Sequence, residues 1–178
     1  MLAELGLATA GLELLSATRA DLEQLSAETG ETAHLVVLEG SSVLFLDSVE
    51  TSKARRIGSR VGAVMAAHCT SAGKAMLALL SADELSAQYP PGQRLEQMTP
   101  NSIATRDDLD DELAAIRERS YAINRDESEI GVAAAFRAGP TGPVAAFSVS
   151  APSTRFDAVR VVEVAKALER AVGRGTSR

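Results

Sequence analysis

His68, Cys69, Thr70, Ser71 and Lys74 crowd into the stretch Ile57 to Leu80, IGSRVGAVMAAHCTSAGKAMLALL. An imidazole, a thiol, two hydroxyls and an amine so close in sequence invite a test for chemistry. A thiolate nucleophile needs a base within reach, and neighbouring side chains on a strand or loop point apart, so His68 beside Cys69 is no dyad by adjacency. Free cysteine is most often a small buried hydrophobe. Gly73-Lys74 lacks the Walker-loop glycine, since that position is His68, and the following Ser/Thr, which is Ala75, so no nucleotide phosphate loop is present. His34, His68 and Cys69 have no metal-ligand spacing and indicate no metal site. What remains is a small-residue run, Ala66, Ala67, Ala72 and Gly73, leading into a helix start. Small side chains let a ligand approach the backbone, and unpaired N–H groups at a helix start favour an anion. Close packing of a helix on a sheet selects the same residue types, so composition leaves both readings open.

Two further groups deserve the same test. Asp126, Glu127 and Glu129 follow a predicted strand and fit either a solvated turn or acid/base work. Ser148 and Ser150 stand two apart in VAAFSVS, so their hydroxyls share a strand face and meet either water or a polar cavity.

The elements that must carry these residues are readable in order. The Ala/Leu-rich run 2–15 and a second segment opening at Thr18 with Asp21 predict two helices, stopped at Gly30. Ala33 to Leu38 and Val43 to Val49 form a hairpin across Glu39-Gly40-Ser41-Ser42. A third short run lies around Arg55 to Ser59. A helix follows over 72–80, then a capped helix from Ser81, with Glu84 three residues on, to Tyr89. Thr105 with Asp108 opens a helix whose Leu109, Leu113 and Ile116 share one face. Strands are expected at 121–124, 132–136 and 144–150, the last two joined by the turn 138–143, and a final helix over 155–172 leaves a frayed tail at 173–178. This order predicts an α+β domain with one mainly antiparallel sheet flanked by helices.

Composition bounds the rest. The 178 residues make one domain, 46% hydrophobic and 24% charged, with net charge -6 and only 3% aromatic residues. A polyanion-binding surface needs clustered cations, and single-strand binding needs exposed rings; apart from Lys53-Ala54-Arg55-Arg56 neither is evident, so the chain by itself is a poor DNA binder. No apolar run reaches membrane length and no signal peptide is visible, which makes the cytoplasm the default expectation.

The run His68, Ser71, Ala72, Gly73, Lys74, Ala75, Leu77 resembles the signature of the effector-binding domain of IclR-family bacterial transcription regulators. Glu28-Thr29-Gly30-Glu31-Thr32 with His34-Leu35, Tyr121 to Glu127 with Gly131-Val132, and AAFSVSAP at 145–152 resemble that family's further landmarks in the same order. The resemblance covers roughly residues 1–170. It implies a GAF/profilin-like fold, N-terminal linker and oligomerisation helices over 1–30, an effector-binding domain over 31–172, and a winged helix-turn-helix DNA reader absent from this chain. It implies no cofactor and no catalytic residue. The implied partners are a small-molecule metabolite, with a carboxylate the favoured class, and other copies of the chain in a dimer or tetramer; DNA would be met only through the reader. The pocket residues expected are Ala54, Ile57, Cys69, Thr70, Ser71, Ala72, Gly73, Asn124, Ser148 and Ser150. Three departures bear on the effector: Ala66 replaces the usual proline, the 132–136 run is shorter and lacks a pocket cysteine, and Asn124 stands where aspartate is common. Two alternatives remain: a GAF-like thiol enzyme using Cys69, and a ligand-free dimerisation module.

Overall fold

The computed structural model describes residues 2–54, 56–127, 130–138 and 143–175. The chain begins with α1 (Leu2–Thr29), then β1 (Thr32–Glu39) and β2 (Ser42–Val49), a hairpin turning at Gly40. A long irregular segment leads to β3 (Val64–Ala66), a single 3-10 turn at Ala67–Cys69 and α2 (Ser71–Leu77). Then come α3 (Ala82–Gln88), α4 (Arg106–Arg119), β4 (Ala122–Arg125), β5 (Ile130–Arg137), β6 (Val144–Ser150), a 3-10 turn at Ser153–Arg155, and α5 (Ala158–Gly175). The strands form a six-stranded sheet in the order β3-β2-β1-β6-β5-β4, every pairing antiparallel.

The two central strands, β1 and β6, are buried on both faces, so neither shows a clean hydrophobic alternation. One face holds Leu35, Val132, Phe136, Phe147 and Val149 under α1 and α5, which contribute Leu22, Leu25, Val164 and Leu168. The other holds Val36, Val43, Phe45, Ala133 and Ala146 under α2, α3 and α4, with Met76, Leu77, Leu85, Leu109 and Leu113. At about 25 cal/mol per Å² of apolar surface, these two layers are the main favourable term in folding.

Local signals set several boundaries. Ser81 and Glu84 form a reciprocal capping box at the start of α3, and Thr105 caps α4 by accepting from the Asp108 amide. Gly30 ends α1 at φ +63, donating to the Ser26 carbonyl at 2.8 Å.

Three expectations are corrected. Residues 2–29 form one helix, because Thr18 turns its hydroxyl back to the Leu14 carbonyl at 2.7 Å and so does not cap a second helix. The third strand is Val64–Ala66; of the run expected at 55–59, Arg55 lies outside the described residues, and residues 56–60 are irregular and cross over the end of β1, where the Ile57 carbonyl accepts from the Thr32 hydroxyl at 2.6 Å. The last helix starts at Ala158 and runs on to Gly175, beyond the expected end at 172; residues 176–178 lie outside the described residues.

Candidate functional site

On the α2 face the register aligns polar side chains in two adjacent rows. His34 of β1 pairs with Ser48 of β2 on one side and Ser148 of β6 on the other. Thr32 pairs with Ser150, which pairs with Gly131 of β5, which pairs with Asn124 of β4. Directly opposed residues share a face, so this end of the layer carries an imidazole, four hydroxyls and an amide, while Val36, Phe45 and Ala146 on the same face are apolar. The irregular segments 50–54 and 56–63 form a roof at this end, where the Ile57 carbonyl accepts from the Thr32 hydroxyl at 2.6 Å. The start of α2 closes the other side: a Cβ on Gly131 would stand 3.2 Å from the Ser71 hydroxyl and 3.3 Å from that of Ser150, so these two hydroxyls converge over the glycine.

His34 is the anomaly of the group. It is 0% exposed, its ring meets Phe45 edge-on at 5.4 Å, and neither ring nitrogen has a hydrogen-bond partner. Ser48 Oγ is likewise buried and unpaired. Burial, and next the positive charge of Arg60 on the roof segment, bring the imidazole down to about 4, with Glu50 opposing, so His34 is neutral at pH 7.

The sequence-predicted residues divide by role. Ser71, Ser148 and Ser150 belong to the cluster. Ile57 is half-buried in the roof, and Ala54 is exposed on it. Thr70 is spent on the helix: its hydroxyl accepts from the Gly73 amide at 2.9 Å and donates to the Ala67 carbonyl at 3.3 Å. Ala72 is packed in the apolar layer. Gly73 serves close packing, since a Cβ there would meet the Ala67 carbonyl oxygen at 2.1 Å. Asn124 is a pin: its Nδ2 donates to the Cys69 carbonyl at 3.0 Å and its Oδ1 accepts from the Glu127 amide at 2.8 Å.

Cys69 is wholly buried. The 3-10 turn changes the expectation that His68 and Cys69 diverge: His68 Nε2 lies 2.8 Å from the Glu96 carbonyl oxygen, and the Cys69 thiol donates to the same oxygen at 3.7 Å. Burial pushes the thiol up, but hydrogen bonding and charge from His68 outweigh it and hold it below the usual thiol range. For His68, burial acts downward, and bonding to Cys69 and the Glu96 backbone leaves it raised.

The sequence puts Lys74 in the first turn of a helix start suited to a ligand. The structure sends its ammonium, 1% exposed, to the other end of the layer, where it donates to the Ile123 carbonyl at 2.8 Å and to Glu127 at 2.5 Å, with Glu112 at 3.4 Å. Of Asp126, Glu127 and Glu129, Asp126 lies exposed in the bend after β4, Glu127 is a buried counter-ion, and Glu129 lies outside the described residues. Burial raises the Glu127 carboxyl even so, against the pull of Lys74. A surface depression of about 500 Å³ lies beside this ion pair, lined by Glu112, Arg119, Arg125 and Glu127 among others. Its charges are largely paired with one another, Arg119 with Glu112 at 2.8 Å. It contains none of the expected pocket residues.

Sequence reasoning missed His34, Ser48 and Arg60. His34 and Thr32 share parity with Val36 along β1, which is the available signal, but the doubly buried strand hides it. Ser48 and Arg60 are brought in by pairing and by the roof. Among the described residues no group of three or more His, Cys, Asp and Glu side chains is placed to hold a metal, and no helix is long and apolar enough to cross a membrane.

A curled antiparallel sheet between a long helical pair and a shorter helical layer is also the architecture of a solved IclR regulator. The profile described as bacterial transcriptional regulator IclR C-terminal matches residues 7–177. The chain belongs to this family and is its effector-binding domain. The HTH-type transcriptional regulator XynR of Escherichia coli is 32% identical over 153 residues, 84% of this chain and 60% of XynR. The chain therefore spans about 60% of the length of that relative. The crystal structure of Thermotoga maritima IclR superposes with a TM-score of 0.86 at 27% identity, covering 99% of this chain and 72% of that one. An IclR homologue from Microbacterium hydrocarbonoxydans complexed with 4-hydroxybenzoate shares the fold, with a TM-score of 0.76 at 20% identity, over 94% of this chain and 70% of that one.

Proposed function

We propose that this domain binds a small carboxylate effector between the sheet and the roof, and that binding controls a winged helix-turn-helix DNA reader and the dimer or tetramer that carries it. The observation that carries this reading is the row His34, Ser48, Ser148, with Ser150 and Ser71 beside it: buried hydrogen-bonding groups on an apolar face, two of them without partners. Buried polar atoms left unpaired cost about 1–3 kcal/mol each, a cost that a ligand's oxygens would recover on binding. Arg60 supplies a nearby positive charge, which favours an anion. The fold neighbour that holds 4-hydroxybenzoate points to the same chemistry.

The roof is tied to the long helix. Glu31, at the junction of α1 and β1, accepts from Lys53 of the roof at 2.9 Å and bidentately from Arg155 at 2.7 Å for each oxygen. Arg174 of α5 reaches Asp21 of α1 at 2.7 Å, and Arg170 reaches Glu28 at 3.0 Å. A ligand that moves the roof would act on α1, the helix that leads toward a reader, through Lys53 and Glu31. Such a ligand shifts the balance of states only by its difference in affinity for them.

Native mass spectrometry of the purified protein, followed by titration with 4-hydroxybenzoate, benzoate and propionate, tests the reading. Binding by at least one acid, weakened tenfold or more by both Ser148→Ala and Ser71→Leu, is expected; binding that neither variant changes would put the pocket elsewhere. The thiol-enzyme alternative has against it the complete burial of Cys69.

A further inference from the structure

We propose that His34 reads the acid group of the effector, and that it takes up one proton from solvent as the carboxylate binds. The inference rests on the pocket reading above and adds to it the group that recognises the ligand and the ionic chemistry of the bound state.

The geometry comes first. His34 sits in the middle of the sheet, between the hydroxyl residues Ser48 and Ser148 in the same row, with Phe45 packed edge-on against its ring. A buried imidazole in a folded core ordinarily gives its N–H to a carbonyl or carboxylate and accepts at the other nitrogen. Here both nitrogens and the neighbouring Ser48 Oγ are buried without partners. A packing role needs none of these heteroatoms, and leucine would fill the position at lower cost. A ring that can donate from one nitrogen, or from both once protonated, matches a carboxylate, which only accepts.

The proton follows from the surroundings. The charges that reach His34 are Arg60 on the roof, which opposes protonation, and Glu50 at the end of β2, which favours it. Glu50 is already engaged by Arg56 at 2.7 Å and by the Ser59 amide at 3.1 Å. The facing side chains from β2 and β6, Phe45, Ser48 and Ser148, do not ionise near neutral pH. A carboxylate placed among these groups would offset the field of Arg60 and supply a counter-charge within the pocket, and both changes favour the imidazolium. Free protein with a neutral His34 and complex with a protonated one differ by one bound proton, so affinity must depend on pH.

The test is isothermal titration of the intact chain with 4-hydroxybenzoate, benzoate and propionate between pH 5.5 and 8, in buffers of different ionisation enthalpy. Below the imidazolium's own titration in the complex, affinity for any acid that binds should rise about tenfold per unit fall in pH, with close to one proton taken up. His34→Gln should abolish both the uptake and the slope, while Arg60→Gln should weaken binding but keep the uptake. Binding with no proton uptake, or an unchanged slope in His34→Gln, would overturn the role of His34 and leave the pocket reading intact, provided Ser148→Ala still weakens affinity. No binding by any of the three acids would remove the carboxylate reading and this proposal with it.

Discussion

The α2 face of the sheet buries ionisable side chains at both ends, and the two ends are built on opposite terms. At the β4 end, the Lys74 ammonium meets a backbone carbonyl and two carboxylates, and its removal would strand charge. At the β1 end, His34 is just as deeply buried and makes no hydrogen bond. A buried group with all its donors matched fixes the packing of α2 against β4. A buried imidazole with neither nitrogen matched adds no hydrogen bond to the fold, and under the reading proposed above it is where a ligand would bond. The first is a structural pin, and the second is the centre of the proposed site.

Breaking the pin should have the largest effect. Lys74→Met leaves the buried Glu127 without its counter-ion while Glu112 keeps Arg119, and we expect a loss of about 3–5 kcal/mol in denaturant unfolding. A loss below about 1 kcal/mol would show that the pair is no pin. At the other end, His34→Leu should leave the free protein as stable at pH 7.5 or stabilise it by about 1 kcal/mol, since no hydrogen bond is lost.

The same pair of proteins separates in acid. His34 titrates near 4 when folded and near 6.5 when unfolded. Above pH 6.5 both states are neutral and the group adds no slope. As pH falls from 6.5 toward 4 the unfolded chain takes the proton first, so the wild type should lose about 3 kcal/mol across that window. His34→Leu should lack this component in thermal or urea unfolding followed against pH, and equal acid sensitivity in the two proteins would mean that His34 is hydrated or bonded in solution.

The smallest expected effect sharpens the edge of the site. Gly131→Ala would press a methyl to 3.2 Å from both the Ser71 hydroxyl and the Val149 carbonyl. We expect about 1 kcal/mol of destabilisation, because the serine can rotate while the backbone cannot. Affinity for whichever acid binds should fall about tenfold in the same variant, and a normal affinity would exclude the gap between Ser71 and Ser150 from the pocket.

Much of this molecule is decided by short-range chemistry and is legible in the chain. The capping residues Ser81 and Thr105, the Glu39–Ser42 hairpin, the apolar face of α4 and the shared face of Ser148 and Ser150 all depend on residues within a few positions of one another, and each is where the pattern puts it. The family landmarks also lie in the linear order, and they carried the fold. Where local signals compete, tertiary contact chose. Thr18 has the chemistry of a cap, but in a helix held against the sheet by Leu14, Leu22 and Leu25 its hydroxyl bonds backward and the helix continues. Gly73 and Ala72, which suit a ligand as well as a helix packed on a sheet, went to packing because α2 lies on Ala67 and the sheet. The pairing of Lys74 with Glu127 across 53 residues, and the meeting of His34 with Ser48, Ser148 and Arg60, depend on which strands lie side by side and on where the roof crosses. No periodicity within one segment records such neighbours, because strand order and register are settled by burying the whole sheet at once.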